Sequence, residues 1–179
     1  MRVQLYTDAS IVKGRGAWAA LVIRGDAPPV EKAGPLRGSF QSSTATELCA
    51  IANGLHFARR AGLIEPGDEV RVYCDNEAAV GRVNRAALRR ASNDPVLGKV
   101  RRWIFADARE HGYSIKAEHV KGHQRLDSGD PRATYNIRCD HLCSAIRDGK
   151  EPHSWDDHVK RVDKFRRRKA ARAMKEGQE

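Results

Sequence analysis

Apolar and polar positions alternate from the start of the chain. Val3, Leu5 and Thr7 fall on one side, Gln4, Tyr6 and Asp8 on the other, and after a short basic turn containing glycine residues 17–23 are almost wholly apolar. This pattern predicts two strands joined as a hairpin, the first ending at Asp8. The Pro/Gly-rich stretch DAPPVEKAGPLRGS allows a turn and a third strand around residues 30–33. In QSSTATELCAIANGLHFARRAG a Ser/Thr cluster can cap a helix, with Glu47 in its first turn. Leu48, Ile51, Leu55 and Ala58 form one apolar face, and Gly62 can end it. PGDEVRVYCD sets Val70, Val72 and Cys74 against Arg71, Tyr73 and Asp75, a strand. Two helical stretches follow, NEAAVGRVNRAALRRA and SNDPVLGKVRRWIFADAREHG, then a strand over 114–120, a loop rich in Asp, Gly and Ser, and a helix in NIRCDHLCSAIRDG.

Strand–helix–strand units imply parallel pairing, and the opening hairpin implies antiparallel pairing. The expected fold class is therefore α/β, a mixed five-stranded sheet with helices on both faces. From Glu151 the composition turns basic and poor in core residues. The expected organisation is a domain over residues 1–148 and a basic, helical C-terminal tail over 149–179. In that tail Val159, Val162 and Phe165 form a narrow apolar stripe that leans on the domain.

With 179 residues, 40% of them hydrophobic and 31% charged, the chain suits one soluble globular domain with an added tail. No stretch approaches the ~18 uninterrupted apolar residues of a membrane span. The N-terminus opens straight into a strand, leaving no room for a signal peptide, so a cytoplasmic protein without a membrane partner is expected. Cys49, Cys74, Cys139 and Cys143 do not form the paired spacing of a zinc site and read as small core residues. The formal charge of +10 points to a polyanionic partner, most commonly nucleic acid. Its basic residues concentrate in 82–102 and 160–175.

Asp8 and Asp75 close two strands, and Glu47 opens the helix between them. If the strands are neighbours, both aspartates lie beyond strand ends, where sites collect in α/β sheets. Glu47 would project toward them from the packed helix, and Asp140 could approach from the last helix. Taken singly, each has an ordinary use: a turn cap, an acid favoured by the helix dipole, an N-cap. Together they repel, and they would ionise as a group only with a strongly bound cation. Carboxylates without cysteine or paired histidines suit Mg²⁺, with Mn²⁺ as the alternative, and two such ions ~4 Å apart suit phosphodiester hydrolysis.

The motifs YTDAS, TATELCAIANGL, VYCDNEAAV, VKGH and NIRCDHL, in this order over residues 1–147, resemble those of type 1 ribonuclease H. That family cuts the RNA strand of RNA–DNA hybrids. The resemblance implies a ribonuclease H-like fold, two Mg²⁺ ions held by Asp8, Glu47, Asp75 and Asp140, and endonucleolytic products with a 5′-phosphate and a 3′-hydroxyl. It implies that His123 is the mobile histidine assisting proton transfer and product release, and that Asn136 helps hold Asp140 or a substrate group. A monomer binding an RNA–DNA hybrid is the expectation.

The chain departs from the family at several positions. Ala9 replaces the glycine after the first aspartate, Asn76 and Glu77 replace a Ser and a Gln, and the histidine loop is longer than usual. Ser43 and Thr44 stand where two asparagines often read the minor groove. Ser43, Thr44, Asn76 and Asn136 remain the expected substrate contacts near the acids. The helix pair after Asp75 matches the basic handle of bacterial members, with Arg85, Arg89 and Arg90 as phosphate contacts, although an aromatic cluster is not evident. Two alternatives stay open: a nuclease of the same fold acting on double-stranded RNA or branched DNA, and a non-catalytic nucleic-acid-binding module.

Overall fold

The hairpin signal at the start of the chain becomes two long strands, β1 (Arg2–Val12) and β2 (Arg15–Arg24). Their two-residue turn places Lys13 and Gly14 at positive φ, the geometry whose twist matches paired antiparallel strands. The structure is a computed structural model and describes residues 1–38, 40, 42–84, 95–122 and 130–176. After the hairpin come β3 (Val30–Leu36), α1 (Ser43–Arg60), β4 (Glu69–Cys74), α2 (Glu77–Asn84), α3 (Pro95–Glu110), β5 (Ser114–His119), α4 (Pro131–Arg147) and α5 (Trp155–Glu176). The five strands form one mixed sheet in the order β3-β2-β1-β4-β5, with β1 parallel to β4 and β4 parallel to β5. The expected α/β architecture is the one observed.

Alternation assigns the two faces. Val3, Leu5, Val70, Val72 and Cys74 pack beneath α1, α2 and α3, while Tyr6, Leu21 and Tyr73 pack against Cys139, Leu142 and Cys143 of α4. The Ser42 hydroxyl accepts from the Ala45 amide and caps α1, and Gly54 lets that helix approach the sheet. A Cβ at Gly54 would lie 3.1 Å from both Ala20 Cβ and Leu5 Cδ1. On the opposite face, Arg138 of α4 is 1% exposed and makes a two-pronged ion pair with Glu31 of β3, at 2.5 and 2.8 Å.

Several boundaries differ from expectation. β1 runs past Asp8 to Val12, because its antiparallel partner β2 continues while its parallel partner β4 does not. Glu47 sits one turn deeper in α1 than its first turn. The loop before the last helix is shorter than expected: α4 starts at Pro131, with the Asp130 carboxylate accepting from the Arg132 amide as N-cap. Residues 85–94 and 123–129 lie outside the described residues. Within α5 the docked positions are Trp155, His158 and Val162, and Val159 and Phe165 are exposed. Trp155 stacks on Tyr135, which contacts Tyr6, which stacks on Tyr73, so an aromatic chain ties α5 through α4 to the sheet. Among the described residues no helix is long and apolar enough to cross a membrane.

Candidate functional site

The parallel register of β1 and β4 ends at Tyr6 opposite Tyr73. Two residues further along each chain stand Asp8 and Asp75, where the ladder has stopped and the space between the strands is open. The Asn76 side chain accepts from the Ala79 amide and caps α2, which leaves the Asp75 carboxylate outside the capping role. Glu47 reaches between the two strands from α1. Its Oε1 accepts from the Ala9 amide at 3.3 Å and its Oε2 from the Cys74 thiol at 3.6 Å. From the other face α4 contributes Asn136 and Asp140, one helical turn apart. These residues line a single cavity of about 530 Å³ with Asp8, Glu47 and Asp75.

The electrostatics follow from this crowding. Burial, and then the neighbouring Asp75 and Asp140 carboxylates, push the Asp8 pKa from 3.8 up to about 8. Burial, followed by Asp8 and Asp75, likewise raises Glu47 well above the carboxylate range. At neutral pH the bare cluster therefore holds protons, which a divalent cation would displace. The Asn136 Oδ1 is buried without a hydrogen-bond partner. A donor set made of carboxylate oxygens plus one free amide oxygen fits a hard, oxygen-loving cation.

Of the expected substrate contacts, Ser43 and Asn76 line the cavity. Thr44 stands beside them: its hydroxyl lies 3.5 Å from Asn76 Oδ1, and Asn76 Nδ2 lies 3.5 Å from Ser43 Oγ. His123, Arg85, Arg89 and Arg90 lie outside the described residues. On the flanking helices Lys99 and Arg102 are exposed, while Arg101 donates to the Arg82 carbonyl and stacks over Phe105. The structure adds two residues that sequence reasoning passed over. His141 lines the cavity next to Asp140. Gly122 lies so close to Asp75 that a Cβ there would sit 2.5 Å from its Oδ2. For Gly122 a signal existed, a glycine inside VKGH directly after a strand. His141 carried none.

A family model described as RNase H matches residues 1–147. No curated protein matches the sequence. Among solved structures, the chain resembles RNase H1 from the halophilic archaeon Halobacterium salinarum NRC-1, at 20% identity and TM-score 0.62, covering 83% of this chain and 99% of that one. LC11-RNase H1, isolated from compost by a metagenomic approach, is similar at 16% identity and TM-score 0.64, covering 83% and 96%. LC11-RNase H1 has also been solved in complex with RNA/DNA hybrid, at TM-score 0.62 and 16% identity, covering 82% and 97%.

Proposed function

Since the chain belongs to the RNase H family, we propose that it is a metal-dependent endonuclease that hydrolyses the RNA strand of RNA–DNA hybrids, leaving a 5′-phosphate and a 3′-hydroxyl. The observation that carries this reading is the convergence of Asp8, Glu47, Asp75 and Asp140 into one cavity from four different stretches of chain. Those four carboxylates would hold two Mg²⁺ ions. Bound there, the ions supply an activated water and compensate the charge that develops on the leaving 3′-oxygen.

The chain's own groups set the stage for that chemistry. The Ala9 amide and the Cys74 thiol fix both oxygens of Glu47 between Asp8 and Asp75. The Ser43 and Thr44 hydroxyls and the Asn76 amide form a polar rim, with the donors and acceptors that a ribose 2′-hydroxyl needs. His123, which follows Gly122 in the sequence, is proposed to move a proton at the leaving oxygen and to assist product release. The exposed cations of α3 and α5 offer sequence-independent contacts to phosphates.

The hydroxyl rim also favours a second reading, cleavage of double-stranded RNA, because hydroxyls replace the expected asparagines. Labelled RNA–DNA hybrid, duplex RNA and duplex DNA incubated with Mg²⁺ separate the two. The expected result is cleavage of the hybrid alone, in its RNA strand. Equal cleavage of duplex RNA would establish the second reading. Binding without cleavage of any substrate would leave only a nucleic-acid-binding module.

A further inference from the structure

Beside the carboxylate cavity, whose lining includes His141, three histidines meet where α5 docks: His141 of α4, His153 of the preceding linker and His158 of α5. Their ring centroids stand 5.5, 5.8 and 6.0 Å apart, and one ligating nitrogen from each ring lies within 4.8 Å of the other two. His158 is fully buried. Each ring carries a buried nitrogen with no hydrogen-bond partner: His141 Nδ1, His153 Nε2 and His158 Nδ1. These are three of the seven such side-chain atoms among the described residues, gathered in one place. An unpaired buried polar atom costs about 1–3 kcal/mol, so packing alone gives no reason to concentrate three of them.

The orientation of His158 is also fixed. Its Nε2 lies 3.1 Å from the Thr134 carbonyl, which can only accept. Nε2 therefore carries the proton, and Nδ1, which has no hydrogen-bond partner, keeps a free lone pair. Ligating histidines are characteristically held this way, with the distal N–H given to a carbonyl.

We propose that His141, His153 and His158 form a second metal site, for a zinc-like transition-metal cation, separate from the carboxylate centre. Imidazole nitrogens suit Zn²⁺, Co²⁺, Ni²⁺ or Cu²⁺ and not Mg²⁺. Three nitrogens ~2.05 Å from one tetrahedral ion sit about 3.3 Å from one another. The observed triangle would thus contract by about 1.5 Å at most. A cavity of about 390 Å³ beside His141 and His153 leaves room for a fourth ligand such as water, and its lining balances Asp148 and Glu151 against Lys150 and Arg161. The ion would pin the linker and the basic helix α5 onto α4, one residue beyond Asp140.

The test uses the full chain without added histidines, in excess Mg²⁺ so that the carboxylates are satisfied, with Co²⁺ as the spectroscopic probe. One equivalent should give the visible absorption of imidazole-bound tetrahedral Co²⁺, and Zn²⁺ should abolish it by displacement. His153→Gln and His158→Gln should each weaken binding at least about tenfold, the smallest loss that even removal of an outer partner produces. His153 lies outside any helix, so its variant decides the matter if His158→Gln does not fold. Mg²⁺-supported cleavage by His153→Gln should be unchanged, and Asp75→Asn should keep the Co²⁺ band. No band in the native chain, equal affinity in the histidine variants, or loss of the band in Asp75→Asn would each overturn the site.

Discussion

Replacing Gly122 by alanine places one methyl group against the proposed metal centre. The amide of Val120 donates to the Cys74 carbonyl at 3.1 Å, so residues 120–122 run alongside the end of β4 and bring Gly122 against Asp75. The added Cβ would lie 2.5 Å from Asp75 Oδ2 and 3.2 Å from its Cβ and Cγ. Carbon and oxygen do not approach so closely, and the carboxylate must retreat by about 0.5–1 Å. Ligand distances in a metal site are held to about ±0.2 Å, and a displacement of ~1 Å at a reacting centre costs roughly a hundredfold in rate. Gly122→Ala should therefore lower the single-turnover cleavage rate by about a hundredfold, or ~2.7 kcal/mol in the barrier, and weaken Mg²⁺ binding. The melt of the metal-free protein should barely move, because Gly122 does not occupy a left-handed conformation and alanine restricts the unfolded chain by about 0.4–1 kcal/mol. Gly81→Ala is the control, since a Cβ there meets nothing within 4 Å. A Gly122→Ala enzyme cleaving at the native rate in saturating Mg²⁺ would refute the reasoning.

Asp75→Asn should fold yet lose nearly all cleavage, because the amide keeps the shape and removes a charge that would hold the proposed ions. Paired melts and hydrolysis rates check this, and near-native activity would remove the metal assignment. The raised pKa of Asp8 makes the folded metal-free protein bind a proton that the unfolded chain releases near pH 3.8. The contribution of this group to metal-free stability should accordingly fall by roughly 1.4 kcal/mol per pH unit between about pH 4 and 8. Asp8→Asn, compared with the native chain in thermal melts with chelator, should remove that slope. Mg²⁺ affinity should run the opposite way, rising about tenfold per pH unit up to pH 8 for the one proton displaced from Asp8. Calorimetry in buffers of different ionisation enthalpy counts that proton, and a pH-independent affinity would contradict it. Replacing the exposed Lys164, Arg167 and Arg168 of α5 by glutamine should leave the single-turnover rate at saturating hybrid unchanged. If all three meet phosphates, it should flatten the slope of log affinity against log salt by up to about 2.7. An unchanged slope would show that α5 does not bind phosphates.

Much of the frame was legible because the signals were local. Val3, Leu5, Val70 and Val72 alternate within their own segments, and that alternation identifies the strands and the faces they present. The order of the four acids was equally visible, since Asp8 and Asp75 follow alternating segments that needed no partner to be recognised. Boundaries set by a neighbour were not. β1 outlasts Asp8 because β2 supports it, and α4 begins at Pro131 where GDPRATYN looked like loop composition, although Asp130 followed by a proline is itself a start signal. Asp75 could have been the cap of α2, and only coordinates show that Asn76 takes that task. The histidine cluster lay beyond reach: positions 141, 153 and 158 follow no helical spacing and meet only when α5 folds back on α4. The stripe of α5 was misjudged for the same reason, because Trp155 and His158 dock through aromatic faces that a count of aliphatic positions overlooks.

The two cysteines of α4 carry a consequence beyond packing. The Cys139 thiol donates to the Tyr6 carbonyl and the Cys143 thiol to the Asp8 carbonyl, at 3.6 and 3.0 Å. Burial pushes both thiols far above their ordinary pKa, so neither reacts while α4 lies on β1. Alkylation must wait for the helix to lift, and its rate is the opening equilibrium multiplied by the rate of a free thiol. The same movement withdraws Asn136 and Asp140 from the cavity. Cys143 is therefore a built-in clock whose modification, under conditions where the fold persists, times how often the acidic centre is dismantled and rebuilt.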